Sequence, residues 1–254
     1  MPDEIVTKGD LPHWYVPGAA HFVTFRLFGT LPRDLLDELR QQREAWLKQP
    51  LAKGESRNQQ RERVHKQLFA RYDRYLDQGA GECWLKDPRV AALVRRSLYH
   101  LHGKQYDLKV FCIMPNHVHV VFVPFPDVVD ASRIQVIEKS EARKAEADGC
   151  ETHPPREVGE QSDQQSPLSR IMHSLKSYTA HEINKLLNRT GSVWQRESYD
   201  HWIRDEQELE RIVHYLNGNP VEAKLSSRPE EWFWSSAHDR FLFDGDTSGW
   251  LRWE

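Results

Sequence analysis

The chain has 254 residues, enough for one large domain or two small ones. Aromatic residues make up 11% of it and support a core, while the charged fraction is 29% and the formal net charge −3, so no global basic field announces a nucleic-acid-binding protein. Any contact with nucleic acid has to rest on local Arg, Lys and His, helped by a bound cation. The three cysteines, Cys83, Cys112 and Cys150, fit no CxxC spacing and read as reduced thiols of a cytoplasmic protein. The acidic start Met1-Pro2-Asp3-Glu4 lacks the apolar segment of a secretion signal. No run approaches the roughly 18 apolar residues that a membrane span requires.

His21-Phe22-Val23-Thr24-Phe25-Arg26-Leu27 alternates and is rich in β-branched and aromatic residues, which predicts a first strand closed by Gly29 and Pro32. From Arg33 to about Lys48 the apolar spacing turns helical, with Leu35, Leu36, Leu39, Trp46 and Leu47. The stretch from Pro50 to Gln60 is polar and weak, and a second helix is expected over Arg61–Leu76, broken by Gln78-Gly79-Ala80-Gly81. Residues 50–80 read as an insertion. Pro88 suits the first turn of a third helix, which Gly103 ends. Tyr106–Ile113 and His117–Val123 read as two strands joined by the tight Pro115-Asn116 connection, hence an antiparallel pair. Residues 126–166 are rich in Glu, Gln, Ser, Asp and Pro and read as a second, mobile insertion, with a transient helix over 134–147. A helix over Leu168–Leu187 follows, then an extended piece over Ser192–His201. Asp205, with Glu208 three residues on, marks the start of a last helix that is expected to stop before Pro220. The tail over 226–254, with Trp232, Phe233, Trp234 and Phe241, is expected to pack over the core. The pattern suits an α+β sandwich, an antiparallel sheet with helices on one face, in a single domain over 1–254 whose core spans about 15–225.

The most informative stretch is Met114-Pro115-Asn116-His117-Val118-His119-Val120-Val121-Phe122. In a strand, side chains at i and i+2 point the same way, so His117 and His119 project side by side while Val118 and Val120 turn to the other face. Two imidazoles on a stiff strand form half a metal site. A divalent ion engaged in phosphoryl chemistry also takes oxygen ligands and keeps positions open. Tyr215 and Asn219 on the last helix are four apart and share a face. Asn219 is placed to complete the shell through its amide oxygen, and Tyr215 to point a phenol at the group the metal polarises.

The sequence resembles the HUH single-tyrosine transposases (the IS200-like group), and most closely the REP-associated tyrosine transposases. The resemblance rests on four blocks in order: His21–Leu27, then Met114–His119, then Trp194-Gln195 with Tyr199-Asp200-His201-Trp202-Ile203-Arg204-Asp205, then Tyr215-Leu216-Asn217-Gly218-Asn219-Pro220-Val221-Glu222-Ala223. Together they span most of residues 20–225 apart from the insertions. The resemblance implies a ferredoxin-like fold with a catalytic C-terminal helix, and a metal-dependent endonuclease and transposase that cuts and rejoins single-stranded DNA at hairpins of REP-like elements. It further implies His117, His119 and Asn219 as ligands of Mg²⁺ or Mn²⁺, Tyr215 as the nucleophile of a 5′-phosphotyrosine intermediate, and enzymes that act as monomers or homodimers. Glu222-Ala223-Lys224 departs from the pattern, standing where a glycine-containing turn is more usual.

Single-stranded DNA needs stacking platforms and a local cationic track, for which Lys176, Trp194, Arg196, Trp202 and Arg204 are candidates. Trp194 and Trp202 fit a core role as well, and His201 and Arg204 can instead pair with Asp200 and Asp205. Tyr178 and Tyr199 rival Tyr215 as nucleophile, although Tyr178 lies on an apolar helical stripe that reads as core. Two other functions remain open. One is a hairpin-binding protein of the same fold retired from catalysis. The other is an unrelated zinc or iron hydrolase, which would recruit a third His or a carboxylate, whereas no His-x-His-x-Asp-His extension follows His119.

Overall fold

The computed structural model describes residues 5–7, 13–79, 81–126 and 166–243. Two short strands, β1 (Ile5–Thr7) and β2 (His13–Tyr15), pair antiparallel ahead of the main body. There follow β3 (His21–Arg26), α1 (Arg33–Lys48), α2 (Arg57–Asp77), a 3₁₀ turn over Trp84–Lys86 and α3 (Pro88–Leu101). Next come β4 (Tyr106–Ile113), β5 (His117–Pro124), α4 (Pro167–Leu186), β6 (Tyr199–Trp202), α5 (Glu206–Glu222), a 3₁₀ turn over Pro229–Glu231 and α6 (Ser236–Phe243). β3 to β6 form one antiparallel sheet in the order β4-β5-β3-β6. With α3 after β3 and α4 after β5, this order and connectivity make the expected ferredoxin-like α+β arrangement. α1 and α2 are interpolated between β3 and α3.

Alternation decides which face each strand residue meets. Val23, Phe25, Val118, Val120 and Phe122 enter a core roofed by Val90, Val94 and Leu98 of α3 and by Ile171, Leu175 and Ile183 of α4. A bulge between Leu108 and Val110 in β4 shifts the alternation, so both Leu108 and Phe111 reach this core. The opposite face carries Phe22, Val121, Cys112, Met114 and Tyr199 against Leu209 and Leu216 of α5, with Phe69 of α2 alongside. The helices expected on one face are therefore α3 and α4, and the helix bearing Tyr215 lies across the other.

Two boundaries differ from expectation for identifiable reasons. α2 starts at Arg57 rather than Arg61 because Ser56 and Gln59 form a capping box, each side chain bonding the other's backbone N–H. α5 does not stop before Pro220 but runs through it to Glu222. So close to the helix end, a proline removes a single N–H. The last carbonyls are then closed by Ala223 N–H to Asn219 O (2.9 Å) and Leu225 N–H to Pro220 O (2.8 Å). Asn219 thereby stays in regular helix, one turn beyond Tyr215.

The described part of the tail, expected to pack over the core, lies along the free edge of β4. Ile113 N–H donates to Trp234 O (2.8 Å), the Trp232 indole N–H donates to Ile113 O (3.0 Å), and Ser236 bonds Phe111. These bonds occupy backbone groups that a bare edge strand would expose. The second insertion and its transient helix over 134–147 lie outside the described residues, as do residues 244–254. Among the described residues no helix is long and apolar enough to cross a membrane.

Candidate active site

β5 lies between β4 and β3, so the backbone under His117 and His119 is fixed on both sides. Both side chains are fully buried. The Asn116 amide donates to Leu76 O (3.0 Å), which leaves its oxygen to accept from His117 Nδ1 (2.7 Å). His117 Nε2 is therefore a bare lone pair. His119 Nδ1 meets Thr24 Oγ1 at 2.7 Å from the neighbouring strand. The two Nε2 atoms converge to 2.9 Å. Burial holds His117 well below the usual imidazole pKa, with His119 adding to the effect, and pushes His119 down to about 3. Both rings are neutral at physiological pH, the form that ligates metals.

α2 supplies what the strand lacks. Asp73 and Asp77 are one turn apart and both face the histidines, with Asp73 Oδ1 3.5 Å from His119 Nε2 and Asp77 Oδ1 3.9 Å from His117 Nε2. Neither of these oxygens has a hydrogen-bond partner. Burial pushes the Asp73 carboxyl up to about 8, and the charges of Asp77 and Glu222 add to the rise. Burial likewise raises Asp77 to about 6, with Glu222 adding to the rise and a hydrogen bond from Asn219 opposing it. Asp73, His117 and His119 bring one donor atom each within 4.8 Å of one another. Sequence reasoning missed both aspartates. Their signal was an acidic pair at i, i+4 flanking the apolar stripe of Leu68, Tyr72 and Leu76, inside a segment read as an insertion.

α5 closes the site. Asn219 is 1% exposed, and its amide nitrogen lies 3.2 Å from the Tyr215 hydroxyl and 3.3 Å from His119 Nε2. Its oxygen is buried without a partner, so a half-turn of the amide offers an oxygen to the same point. Tyr215 is partly buried, its ring 5.7 Å from that of His119 and edge-on to Phe22. A cleft of about 460 Å³ opens over the cluster, lined by Asp73, Asp77, Tyr199, His201, Tyr215 and Glu222. The donor set fits a small divalent ion. It comprises two neutral imidazoles and a carboxylate, with orphaned carboxylate and amide oxygens beside them, and two cis ligands at about 2.1 Å stand about 3 Å apart, close to the Nε2 separation.

No protein-family model matches the chain. Over 146 residues it is 24% identical to a Haemophilus influenzae protein that carries the name REP-associated tyrosine transposase, a match covering 56% of this chain and 66% of the relative. The chain thus spans about two thirds of that relative's length. A solved structure described as a REP-associated tyrosine transposase bound to a REP hairpin aligns over 95% of this chain and 88% of that one, at 12% identity and a TM-score of 0.42. The chain is similar to the REP-associated tyrosine transposases. His117, His119, Tyr215 and Asn219, singled out in the sequence, are gathered at the cluster.

The other candidates scatter. Trp194 is a core residue, edge-on to Phe25 with its indole N–H donating to Thr179 (2.8 Å), and offers no face for a base. Lys176 donates to Arg196 O (2.8 Å) and Ser198 Oγ (3.2 Å), and burial lowers its pKa to about 8. It is committed to the fold rather than free on the surface. Arg204 pairs with Glu62 and lies over the Trp202 ring, and His201 Nε2 meets Glu208 (3.0 Å), so both are engaged within the fold. Arg196 stays exposed. Tyr199 is sealed between the rings of His65 and Phe69, and burial pushes its phenol far above the usual range, which removes it as a nucleophile. Tyr178, expected in the core, is 53% exposed and sits on α4, which covers the opposite face of the sheet from the cluster.

Proposed function

We propose that this protein is a metal-dependent DNA strand transferase that cleaves and rejoins single-stranded hairpin DNA through Tyr215. The carrying observation is the Asn219 amide lying between the Tyr215 hydroxyl and His119, beside a buried Asp-His-His cluster. His117, His119 and Asp73 would hold Mg²⁺ or Mn²⁺, with Asn219 joining through its oxygen. When bound, the ion neutralises a non-bridging oxygen of the scissile phosphate and makes phosphorus more open to attack. Tyr215 is the only tyrosine of the three candidates whose oxygen adjoins that cluster among the described residues. Its phenol releases its proton to solvent as its oxygen attacks phosphorus. The bond from phosphorus to the 3′ oxygen breaks, and solvent returns a proton to the departing oxygen. The products are a 5′-phosphotyrosine and a free 3′-OH, and the reverse attack by a 3′-OH rejoins the strand without ATP. Without an ion the Asn219 amide N–H donates to the Tyr215 oxygen, and the half-turn that presents its oxygen to the ion would release that phenol.

The rival zinc or iron hydrolase gains from Asp73 the carboxylate that the strand motif lacked, so the donor set alone does not separate the two readings. The phenol beside these donors favours the transferase, because it offers a protein nucleophile where a hydrolase would use metal-activated water. The deciding assay incubates the protein with end-labelled hairpin oligonucleotides and Mn²⁺ and examines a denaturing gel. A slow-migrating covalent species, absent in Tyr215→Phe, supports the proposal. An adduct that persists undiminished in Tyr215→Phe sinks the tyrosine assignment. Tight hairpin binding with no cleavage favours the retired binder, and tightly bound zinc with no DNA affinity favours the hydrolase.

A further inference from the structure

The cleft over the cluster has a charge pattern that the proposed chemistry leaves unused. Its walls are α2 and α5. Toward the start of both helices the cations are neutralised: Lys66 bridges Glu62 (3.1 Å) and Glu208 (2.6 Å), and Arg204 pairs with Glu62. Toward their ends stand the carboxylates Asp73, Asp77 and Glu222. Each wall also carries one more guanidinium lining the cleft, Arg74 on α2 and Arg211 on α5. Both are exposed, and neither makes a hydrogen bond or ion pair with any described residue. This sets them apart from Arg63, Arg71, Arg89, Arg95 and Arg228, each paired with a carboxylate. Arg211 stands one turn before Tyr215, which stands one turn before Asn219, so the three form a single stripe. Arg74 directly follows Asp73 in the opposite wall.

A polyanion approaching Tyr215 meets a chain of net charge −3 and four carboxylates lining the cleft, of which only Glu208 is bridged by a lysine. Attraction has to come from cations that are free and local. We infer that Arg74 and Arg211 clamp the backbone of a single DNA strand, each gripping a phosphate beside the one that Tyr215 attacks. A guanidinium presents paired N–H donors that match two phosphate oxygens and read no base. The assignment deepens the function proposed above and rests on it. It places free cations in the cleft, whereas Lys176 and Arg204, the candidates read from the sequence, are already occupied.

The test measures binding of a fluorescein-labelled hairpin oligonucleotide with a single-stranded 5′ flank to full-length Tyr215→Phe protein across a salt series. Arg74→Ala and Arg211→Ala, added singly, are each expected to weaken binding by about tenfold at low salt and to lower the slope of log K against log salt by about one. Arg211→Lys should keep the slope, and Arg228→Ala, a paired arginine in the tail, should change neither quantity. Replacing the flank phosphates one at a time by neutral methylphosphonate should weaken binding at two positions. Each position should lose its effect in one of the two alanine variants. Both side chains are exposed, so folding survives the substitutions, which a thermal melt checks. If both alanine variants keep the parent's slope while the parent binds DNA and its Tyr215 form makes the adduct, the clamp is overturned and the functional reading stands. If the parent neither binds nor cleaves any hairpin, the functional reading fails and the clamp with it.

Discussion

The two faces of the central sheet are built from alternate residues of the same strands, yet they are finished differently. On one, Val118, Val120 and Phe122 meet α3 and α4 in a core of apolar side chains. On the other, His117 and His119 meet α2 and α5 in a buried cluster where oxygens of Asp73, Asp77 and Asn219 have no partner. An unsatisfied buried polar atom costs roughly 1–3 kcal/mol, so several of them together weigh heavily against a stability of about 5–15 kcal/mol. The apolar face supplies the stability that lets the polar face keep a strained donor set in place. The contrast also explains why the site is precise: its histidines share a backbone with the best-packed residues of the molecule.

The largest expected effect tests the polar face directly. Tyr215→Phe should lower covalent adduct formation by roughly a thousandfold or more while hairpin binding persists, measured by gel and by anisotropy. The matching change on the other face is Leu98→Ala, which should cost about 2–5 kcal/mol in a denaturant titration. It should leave Mn²⁺ affinity per folded molecule unchanged, and a collapse of that affinity would show that the two faces are not separable. The third effect is on pH. The Asp73 carboxyl is raised to about 8 in the fold, so its contribution to stability is full below about pH 4 and is lost as pH rises toward 8. Below about pH 6.5 the depressed imidazoles of His117 and His119 act in the opposite sense to Asp73 and Asp77, so in chelator the melting temperature should fall only from about pH 6.5 to 8, where Asp73 alone still titrates. Asp73→Asn should flatten the profile, and Mn²⁺ should raise the parent's melting temperature most at the alkaline end. A parent profile that stays flat from pH 6.5 to 8 in chelator would contradict the buried carboxyl. The smallest effect concerns the helix that carries Tyr215. Asp205 accepts from Glu208 N–H (2.7 Å) at its start, and Asp205→Ala should cost about 1 kcal/mol without shifting metal affinity.

The strands and most helices were legible because each obeys a local period. Tyr106–Ile113 alternates, and Arg33–Lys48 repeats at helical spacing, so their bounds follow from nearest neighbours along the chain. Boundaries failed where a local rule was overridden. Pro220 reads as a stop, but a proline this close to the helix end removes only one bond. Half of the site was equally legible: His117 and His119 through the two-residue period of a strand, Tyr215 and Asn219 through one helical turn. Trp194 went to the core because an aromatic residue in an extended segment carries no mark of which side of the fold it will face.

Short-range periodicity therefore determined the strand that carries the imidazoles and the helix that carries the phenol, since both follow from geometry a few residues long. Only the tertiary structure decided that α2, a segment with the composition of a solvated insertion, folds over the sheet and adds Asp73 and Asp77 to the cluster. It also decided which arginines stay unpaired. Both outcomes depend on which distant groups are brought within a few ångströms, and that is set by packing around the apolar face rather than by any residue's neighbours in the chain.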